Sequence, residues 1–174
     1  TTVDPLVRHS VDQALGLSAD GRTLVWVRAR KSKMSLCALA APFTAVPNEL
    51  LLGPAIAPLP TVRLSLDGKH AFWSRDGWLW HASQASSRFG QPEKLPIKAG
   101  PVGLQCSTDG SVVTTLIGGP RRRTLSPSYR SVIVARRTKG DWIQLPPLTP
   151  FKHGKLAWGT LLDGQGRYLV FKLE

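Results

Sequence analysis

Short apolar runs alternate along the chain with turn-forming residues, and one such unit recurs four times. The clearest copy is Ser65–Trp80, in which a hydroxyl residue, an Asp and a Gly precede an apolar run. Looser copies begin at Ser18, Ser107 and Asp163. An Asp-Gly pair between two apolar runs is typical of a tight β-hairpin, because Gly reaches positive φ without strain and Asp accepts turn hydrogen bonds. Each unit is therefore predicted to contain a strand, a hairpin turn and a second strand.

The period of the repeat indicates the fold. Aligned on Gly21, Gly68, Gly110 and Gly166, the copies recur at intervals of about 40 to 60 residues, near the roughly 40–50-residue period of four-stranded propeller blades. Sixteen Gly and fourteen Pro among 174 residues leave little room for long helices. The sequence predicts an all-β fold, a β-propeller of four-stranded antiparallel blades, with about three and a half to four blades in this chain.

Each predicted blade has four strands, which we name a to d from the central axis outward. The repeats span residues 14–52, 62–97, 102–145 and 156–174 of a single propeller domain or propeller fragment, 1–174. The predicted strands are Ala14–Leu17, Thr23–Val27, Ser35–Leu39 and Glu49–Leu52; Val62–Ser65, His70–Ser74, Trp78–His81 and Glu93–Ile97; Val102–Cys106, Val112–Ile117, Ser131–Ala135 and Trp142–Leu145; and Leu156–Leu161 and Arg167–Leu173.

Fourteen strands leave the fourth blade without strands c and d. Pro5–Arg8 offers one further strand, but strand c stays missing. An open ring exposes strand edges that can pair with other chains. Three alternatives follow: a fragment of a larger propeller, a ring completed by another chain or by self-association with a second copy, and a small four-bladed ring with an incomplete last blade.

The repeat Ser-x-Asp-Gly-(Lys/Arg), followed by an apolar run and a short Trp-Leu-Trp strand, resembles that of TolB-like β-propellers. Similar repeats occur in the propeller domains of prolyl-oligopeptidase-type peptidases and in sensor domains of some membrane-bound winged-helix regulators. The resemblance implies a propeller that binds other macromolecules and has no active site on the propeller, and it leans towards the bacterial periplasm. Two departures stand out: Gln165 replaces the turn Asp, and Thr114 and Thr115 replace the aromatic residue.

Catalytic and metal-binding motifs are missing from the sequence. It contains no Gly-x-Ser-x-Gly elbow, no phosphate-binding Gly-x-x-x-x-Gly-Lys-Ser/Thr loop and no His-Glu-x-x-His helix. The histidines are scattered, and strand residues such as His70 and His81 are expected to pack rather than to bind a ligand. Cys37 and Cys106 fall in different repeats and are expected to be buried small hydrophobes. We predict no enzyme activity, no catalytic residue, no metal and no cofactor.

Six tryptophans allow two interpretations. They could stack on bases or sugars, but their spread over strands of different repeats favours packing between blades. The six are Trp26, Trp73, Trp78, Trp80, Trp142 and Trp158. Trp78 and Trp80 share one face of their strand, so this pair is expected to include the most exposed ring.

Charge gives the remaining functional signal. Lys and Arg number 23 against 11 Asp and Glu, a formal net charge of +12. The predicted topology sends the b–c and d–a loops to one face of the disc, where eleven of these cations fall. The candidate binding residues are the b–c loop cations Arg28, Arg30, Lys31, Lys33, Arg75, Arg121, Arg122 and Arg123. Lys98, Lys152 and Lys155 in d–a loops add to them, whereas the turn acids Asp20, Asp67, Asp109 and Asp163 lie on the other face.

A one-sided basic surface attracts polyanions. We expect a non-enzymatic interaction or scaffold module whose partner is an acidic protein surface or another polyanion. Two alternatives stay open: a nucleic-acid-binding propeller, and an accessory or sensor propeller of a larger peptidase or membrane-bound transcriptional regulator. A basic composition without a binding role is the plainest alternative. No membrane span is expected, because prolines and Glu49 interrupt Met34–Val62, the longest weakly charged stretch.

Overall fold

The computed structural model describes residues 10–30, 33–54, 62–85, 88–100, 103–117, 131–148, 156–167 and 169–173. Within these ranges the chain is entirely β, with fifteen strands and no helix. The strands are β1 Ser10–Leu17, β2 Thr23–Arg30, β3 Lys33–Ala40, β4 Asn48–Pro54, β5 Val62–Leu64, β6 His70–Arg75, β7 Trp78–Ala85, β8 Arg88–Phe89, β9 Glu93–Lys98, β10 Gln105–Cys106, β11 Val112–Ile117, β12 Ser131–Thr138, β13 Asp141–Gln144, β14 Leu156–Leu162 and β15 Leu169–Leu173.

The strands form antiparallel sheets in chain order, as the repeat predicted. Blade 1 contains β1 to β4, blade 2 contains β5 to β9, blade 3 contains β10 to β13, and blade 4 contains β14 and β15. Each predicted strand corresponds to a strand of the structure, although some bounds differ. The predicted strand residues Ser65, Gly103, Leu104, Leu145 and Arg167 lie outside the observed strands. The fifteenth strand, β8, was not predicted. It pairs with the end of β7, and β7 also pairs with β9.

The core lies between blades rather than within them. One cluster joins blades 1 and 2 and includes Val27, Leu36 and Trp73; a second joins blades 2 and 3 and includes Phe72 and Ile133. Neighbouring residues of β6 thus face different blades, Trp73 towards blade 1 and Phe72 towards blade 3. Strands buried on both faces read as continuous apolar runs, which is the pattern of the predicted b strands.

The Asp-Gly turns between strands a and b share one hydrogen-bond pattern. In blade 2, Ser65 Oγ donates to Asp67 Oδ1 at 2.5 Å and accepts from the His70 N–H at 3.0 Å, while the Lys69 N–H donates to Asp67 Oδ1 at 3.0 Å. Blades 1 and 3 repeat these bonds from Ser18 and Ser107. Gly21, Gly68, Gly110 and Gly166 take φ between 66° and 74°, as expected of these turns.

The two departures from the repeat are accommodated differently. In blade 4 the carboxylate of Asp163, at the position of the repeat serine, accepts the Arg167 N–H at 2.5 Å. The turn therefore forms although Gln165 occupies the Asp position. Thr114 and Thr115, which replace the aromatic residue in β11, are buried.

Backbone hydrogen bonds connect the turns of successive blades. The Ala19 N–H donates to the Leu66 carbonyl at 2.7 Å, and the Asp67 N–H donates to the Thr108 carbonyl at 3.0 Å. Thr108 in turn donates to the Gly164 carbonyl at 2.7 Å. The four turns thus follow one another along the same end of the blades, so the opposite ends of the strands form a separate surface.

Candidate functional site

The two ends of the strands carry different sets of charged residues. At the end formed by the a–b turns, the carboxylates of Asp20, Asp67 and Asp109 accept turn hydrogen bonds, and hydrogen bonds from Ser18 and the Arg22 N–H lower the pKa of Asp20. The other end is formed by the β2–β3 and β6–β7 hairpins and by the last residues of β4 and β9. Arg30, Lys33, Arg75 and Lys98 lie at that end, together with Asp76.

Four cations at this second end form what we call the basic edge: Arg30, Lys33, Arg75 and Lys98. Arg30 and Lys33 are paired across the β2–β3 hairpin, and Lys33 is paired with Pro54 at the end of β4. Arg75 reaches this end of β4 from blade 2. Arg75 is paired with Trp78, which is paired with Lys98 on β9. The basic edge therefore extends from blade 1 to blade 2, with Asp76 beside Arg75.

Arg30 and Lys33 are the open part of this edge. Both are exposed, and no carboxylate of the described residues lies within ion-pair distance of either.

Arg28 is placed differently from its neighbours. Its guanidinium forms an ion pair with Glu49 at 2.6 Å and lies 5.6 Å from the centroid of the Trp26 ring. Glu49 therefore neutralises much of the charge that Arg28 was predicted to offer.

Arg75 joins the first two blades. Its Nη1 donates to the Leu52 carbonyl at 2.6 Å, its Nε lies 3.3 Å from Asp76 Oδ2, and its guanidinium lies 5.3 Å from the Trp80 ring centroid. The guanidinium also fills the space beside Gly53 that a Cβ would occupy. The structure thus gives this candidate binding residue a packing role as well.

The remaining candidates, Lys31, Arg121, Arg122 and Arg123, lie outside the described residues, as do Lys152 and Lys155. Their membership of the basic surface stays a prediction.

Lys94 is a cation of this region that the sequence reasoning missed. Its Nζ lies 4.2 Å from the centroid of the Trp78 ring, and Lys98 Nζ lies 3.6 Å from the same centroid. The signal was present in β9, where Leu95 and Ile97 are buried and alternate with the exposed Lys94 and Lys98. That alternation puts both lysines on one face of the strand.

The tryptophans mostly serve packing. Trp73 is fully buried, whereas Trp26, Trp78, Trp80 and Trp142 are half-buried. Trp78 and Trp80 do lie on one face of β7, as expected. The Trp158 side chain lies outside the described part of the structure.

Two histidines come together at the seam between blades 2 and 3. His70 Nδ1 and His81 Nε2 share a hydrogen bond of 2.9 Å, and His81 stacks on Phe72 with an edge contact to Trp142. Burial and then the neighbouring His70 lower the pKa of His81 to about 4, so the ring is neutral at pH 7. The sequence placed each histidine in a strand, but only the β6–β7 register brings the two rings together.

The histidines and cysteines that the structure describes, His70, His81, Cys37 and Cys106, do not form a metal-binding cluster. Among the described residues, no three His, Cys, Asp or Glu side chains are placed to hold a metal ion. Cys37 is buried as expected, whereas Cys106 is only half-buried. Burial raises the pKa of Cys106 to about 12, which keeps its thiol protonated.

A small cleft opens where blades 1 and 2 meet at their outer strands. Its volume is about 150 Å³, below the roughly 300–1,000 Å³ typical of small-molecule sites. The residues around it are Leu36, Asn48, Glu49, Leu50, Arg88 and Phe89. Its size does not favour a metabolite pocket.

No family model and no curated protein matches this sequence. Solved structures do match the fold. A putative 6-phosphogluconolactonase from Bacteroides fragilis aligns with a TM-score of 0.53 and 14% identity over 97% of this chain and 49% of its own. TolB from Acinetobacter baumannii aligns with a TM-score of 0.54 and 13% identity, over 93% of this chain and 37% of the TolB chain. Hydrazine synthase from Kuenenia stuttgartiensis aligns with a TM-score of 0.53 and 18% identity, over 89% of this chain and 47% of the matched chain.

These likenesses establish the architecture. TolB and the 6-phosphogluconolactonase-like protein are β-propellers, and this chain shares their succession of antiparallel sheets. The chain spans about half the length of the matched chains, or less. Among the described residues, no helix has the length and apolar character needed to cross a bilayer.

Proposed function

We propose that this propeller is a non-enzymatic interaction module that holds an acidic macromolecular partner against its basic edge. The observation that carries the proposal is the continuity of Arg30, Lys33, Arg75 and Lys98 across the seam between two blades. Asp20, Asp67 and Asp109 accept turn hydrogen bonds at the other end of the strands, and Asp76 is the carboxylate beside Arg75.

The shape of this surface favours a macromolecule. A row of cations along an open edge can meet several negative charges of a long partner at once, which steers association and gives a salt-dependent affinity. A small ligand needs an enclosed pocket with convergent polar groups, and the cleft between blades 1 and 2 is too small for this.

Assignment to the TolB-like propellers, rather than to another propeller family, belongs to the same proposal. It is supported by the repeated Ser-x-Asp-Gly turns with their common hydrogen bonds and by the structural likeness to TolB.

Fluorescence anisotropy with a labelled poly-glutamate peptide tests the basic edge. Arg30→Ser with Lys33→Ser should weaken binding and make its salt dependence shallower, since fewer counterions are released. The control pair is Arg22→Ser with Lys69→Ser, which removes the same charge from exposed positions at the a–b turn end. Equal losses of affinity in both double variants would show that binding depends only on net charge. Unchanged binding by the Arg30→Ser, Lys33→Ser variant would refute the proposal.

The predicted loop is tested in the same assay. Changing Arg121, Arg122 and Arg123 together to Ser should lower the affinity and the salt slope if this loop extends the basic edge, and should leave the fold intact. A labelled single-stranded DNA serves as a second probe. Much tighter binding of the DNA than of poly-glutamate would favour the nucleic-acid-binding alternative.

A further inference from the structure

Trp78 has two ammonium groups against its ring. Lys98 Nζ lies 3.6 Å and Lys94 Nζ 4.2 Å from the ring centroid, so the two nitrogens are no farther apart than the sum of these distances. Each contact is a cation–π attraction in its own right. Together they hold two like charges close to one another.

The strand pairing explains why two lysines converge on one ring. Trp78 is paired with Lys98, but Trp80 is paired with Lys94, so the register shifts between these pairs. Pro96 lies in the shifted segment, where a residue without an N–H is tolerated. The shift leaves Lys94 and Lys98 on the same exposed face of β9, on either side of the proline.

Nearby carboxylates do not neutralise this pair. Asp76 forms an ion pair with Arg75, whereas Glu93 lies 3.9 Å from Nδ1 of the His81 ring, which is neutral at pH 7. Within the described part of the chain, no carboxylate is within ion-pair distance of Lys94 or Lys98. Two unneutralised ammonium groups repel each other, and an anion between them would relieve that repulsion.

We propose that Trp78, Lys94 and Lys98 form a binding site for a phosphate monoester carried by the acidic partner. A phosphate monoester carries between about 1.5 and 2 negative charges at pH 7 and has three strong acceptor oxygens. It therefore matches two ammonium groups better than a single carboxylate does, and lysine is a suitable point-charge donor to phosphate. This inference rests on the proposed function and narrows its partner to a phosphorylated protein segment.

The test compares an acidic peptide with one central phosphoserine and the same peptide with serine, by anisotropy at fixed ionic strength. The wild-type protein should bind the phosphopeptide roughly fivefold to tenfold more tightly. Lys94→Gln with Lys98→Gln should bring this ratio close to one. The pair Arg30→Ser with Lys33→Ser should weaken both peptides and preserve the ratio.

The outcomes separate the two proposals. Equal binding of both peptides by the wild-type protein, or a ratio that survives loss of both lysines, would overturn the phosphate site while leaving the basic edge intact. If neither peptide binds, the proposed function fails, and binding of inorganic phosphate then tests the phosphate site. Saturable phosphate binding that requires both lysines would support the site, and no phosphate binding would overturn it. Preference for a 5′-phosphorylated oligonucleotide or for phosphoinositide vesicles over the phosphopeptide would also overturn the assigned partner. Urea unfolding midpoints verify that each variant is folded.

Discussion

Gly68 shows how a single residue sets the spacing between blades. It takes φ of +74°, and a Cβ added there would lie 2.8 Å from Ser18 Cβ in the preceding blade. Gly77, in the β6–β7 hairpin, has the same φ but no atom within 4 Å of the added Cβ. The two glycines therefore separate backbone strain from contact between blades.

We expect Gly77→Ala to lower the free energy of unfolding by about 1–2 kcal/mol, the cost of the left-handed conformation. Gly68→Ala should cost about 1–3 kcal/mol more, since the new methyl group also meets blade 1. Urea denaturation of both variants measures the difference. Equal losses would show that the turn does not set the contact between blades.

His81 predicts how stability depends on pH. Its pKa is about 4 in the folded protein, against 6.5 for an ordinary histidine. Between these values the native state binds fewer protons than the unfolded state, so the free energy of unfolding falls as the pH drops from 6.5 towards 4. The expected loss from this residue is roughly 2–3 kcal/mol.

His81→Gln checks this prediction, because its amide can still reach His70 but does not titrate. The variant should lose less stability than the wild-type protein between pH 7 and pH 4.5 in urea titrations. Parallel losses would assign the acid sensitivity to other groups.

At the scale of the element, the hairpin turn depends on one buried hydroxyl. Ser107 is fully buried; its Oγ donates to Asp109 at 2.8 Å and accepts the Val112 N–H at 2.9 Å. Ser111 donates to the same carboxylate oxygen at 2.8 Å, but that bond is exposed.

Ser107→Ala should therefore destabilise the protein by about 1–3 kcal/mol, because the Val112 N–H loses its partner in the interior. Ser111→Ala should change stability by less than about 0.5 kcal/mol. Thermal unfolding of the two variants is the measurement, and a large effect of Ser111→Ala would contradict the assignment.

At the scale of the whole molecule, blade 3 presents an uncovered apolar face. Ile143, Leu145 and Leu148 are 49%, 42% and 44% exposed. They are partnered across the sheet with Arg136, Val134 and Val132, and so lie on the same face of blade 3. Blade 1 differs, because its Leu36 and Leu50 pack against the neighbouring blade together with Phe89.

We expect the isolated 174-residue polypeptide to self-associate at micromolar concentration through this face. Ile143→Ser with Leu148→Ser should lower the mass measured by light scattering. Val46→Ser, at a residue that is 88% exposed elsewhere, is the control and should leave the mass unchanged. A wild-type protein that stays monomeric throughout would refute the prediction.

The order of strands and the Asp-Gly turns could be predicted from the sequence, because they depend on local chemistry. An Asp-Gly pair after a serine specifies its own hairpin, and alternating apolar residues specify which strand faces are buried. The fourth turn formed even with Gln165, since Asp163 supplied the carboxylate from another position of the same turn.

Tertiary structure alone decided which side chains meet. The ion pair of Arg28 with Glu49, the seam contact of Arg75 with Leu52, the His70–His81 pair and the convergence of Lys94 and Lys98 on Trp78 all depend on register or on the distance between blades. Register is fixed by pairing between strands distant in sequence, and a shift such as that at Pro96 changes which residues become neighbours. A local pattern contains no such information, so the sequence could assign cations to hairpins and strands but not determine which of them form ion pairs or ring contacts.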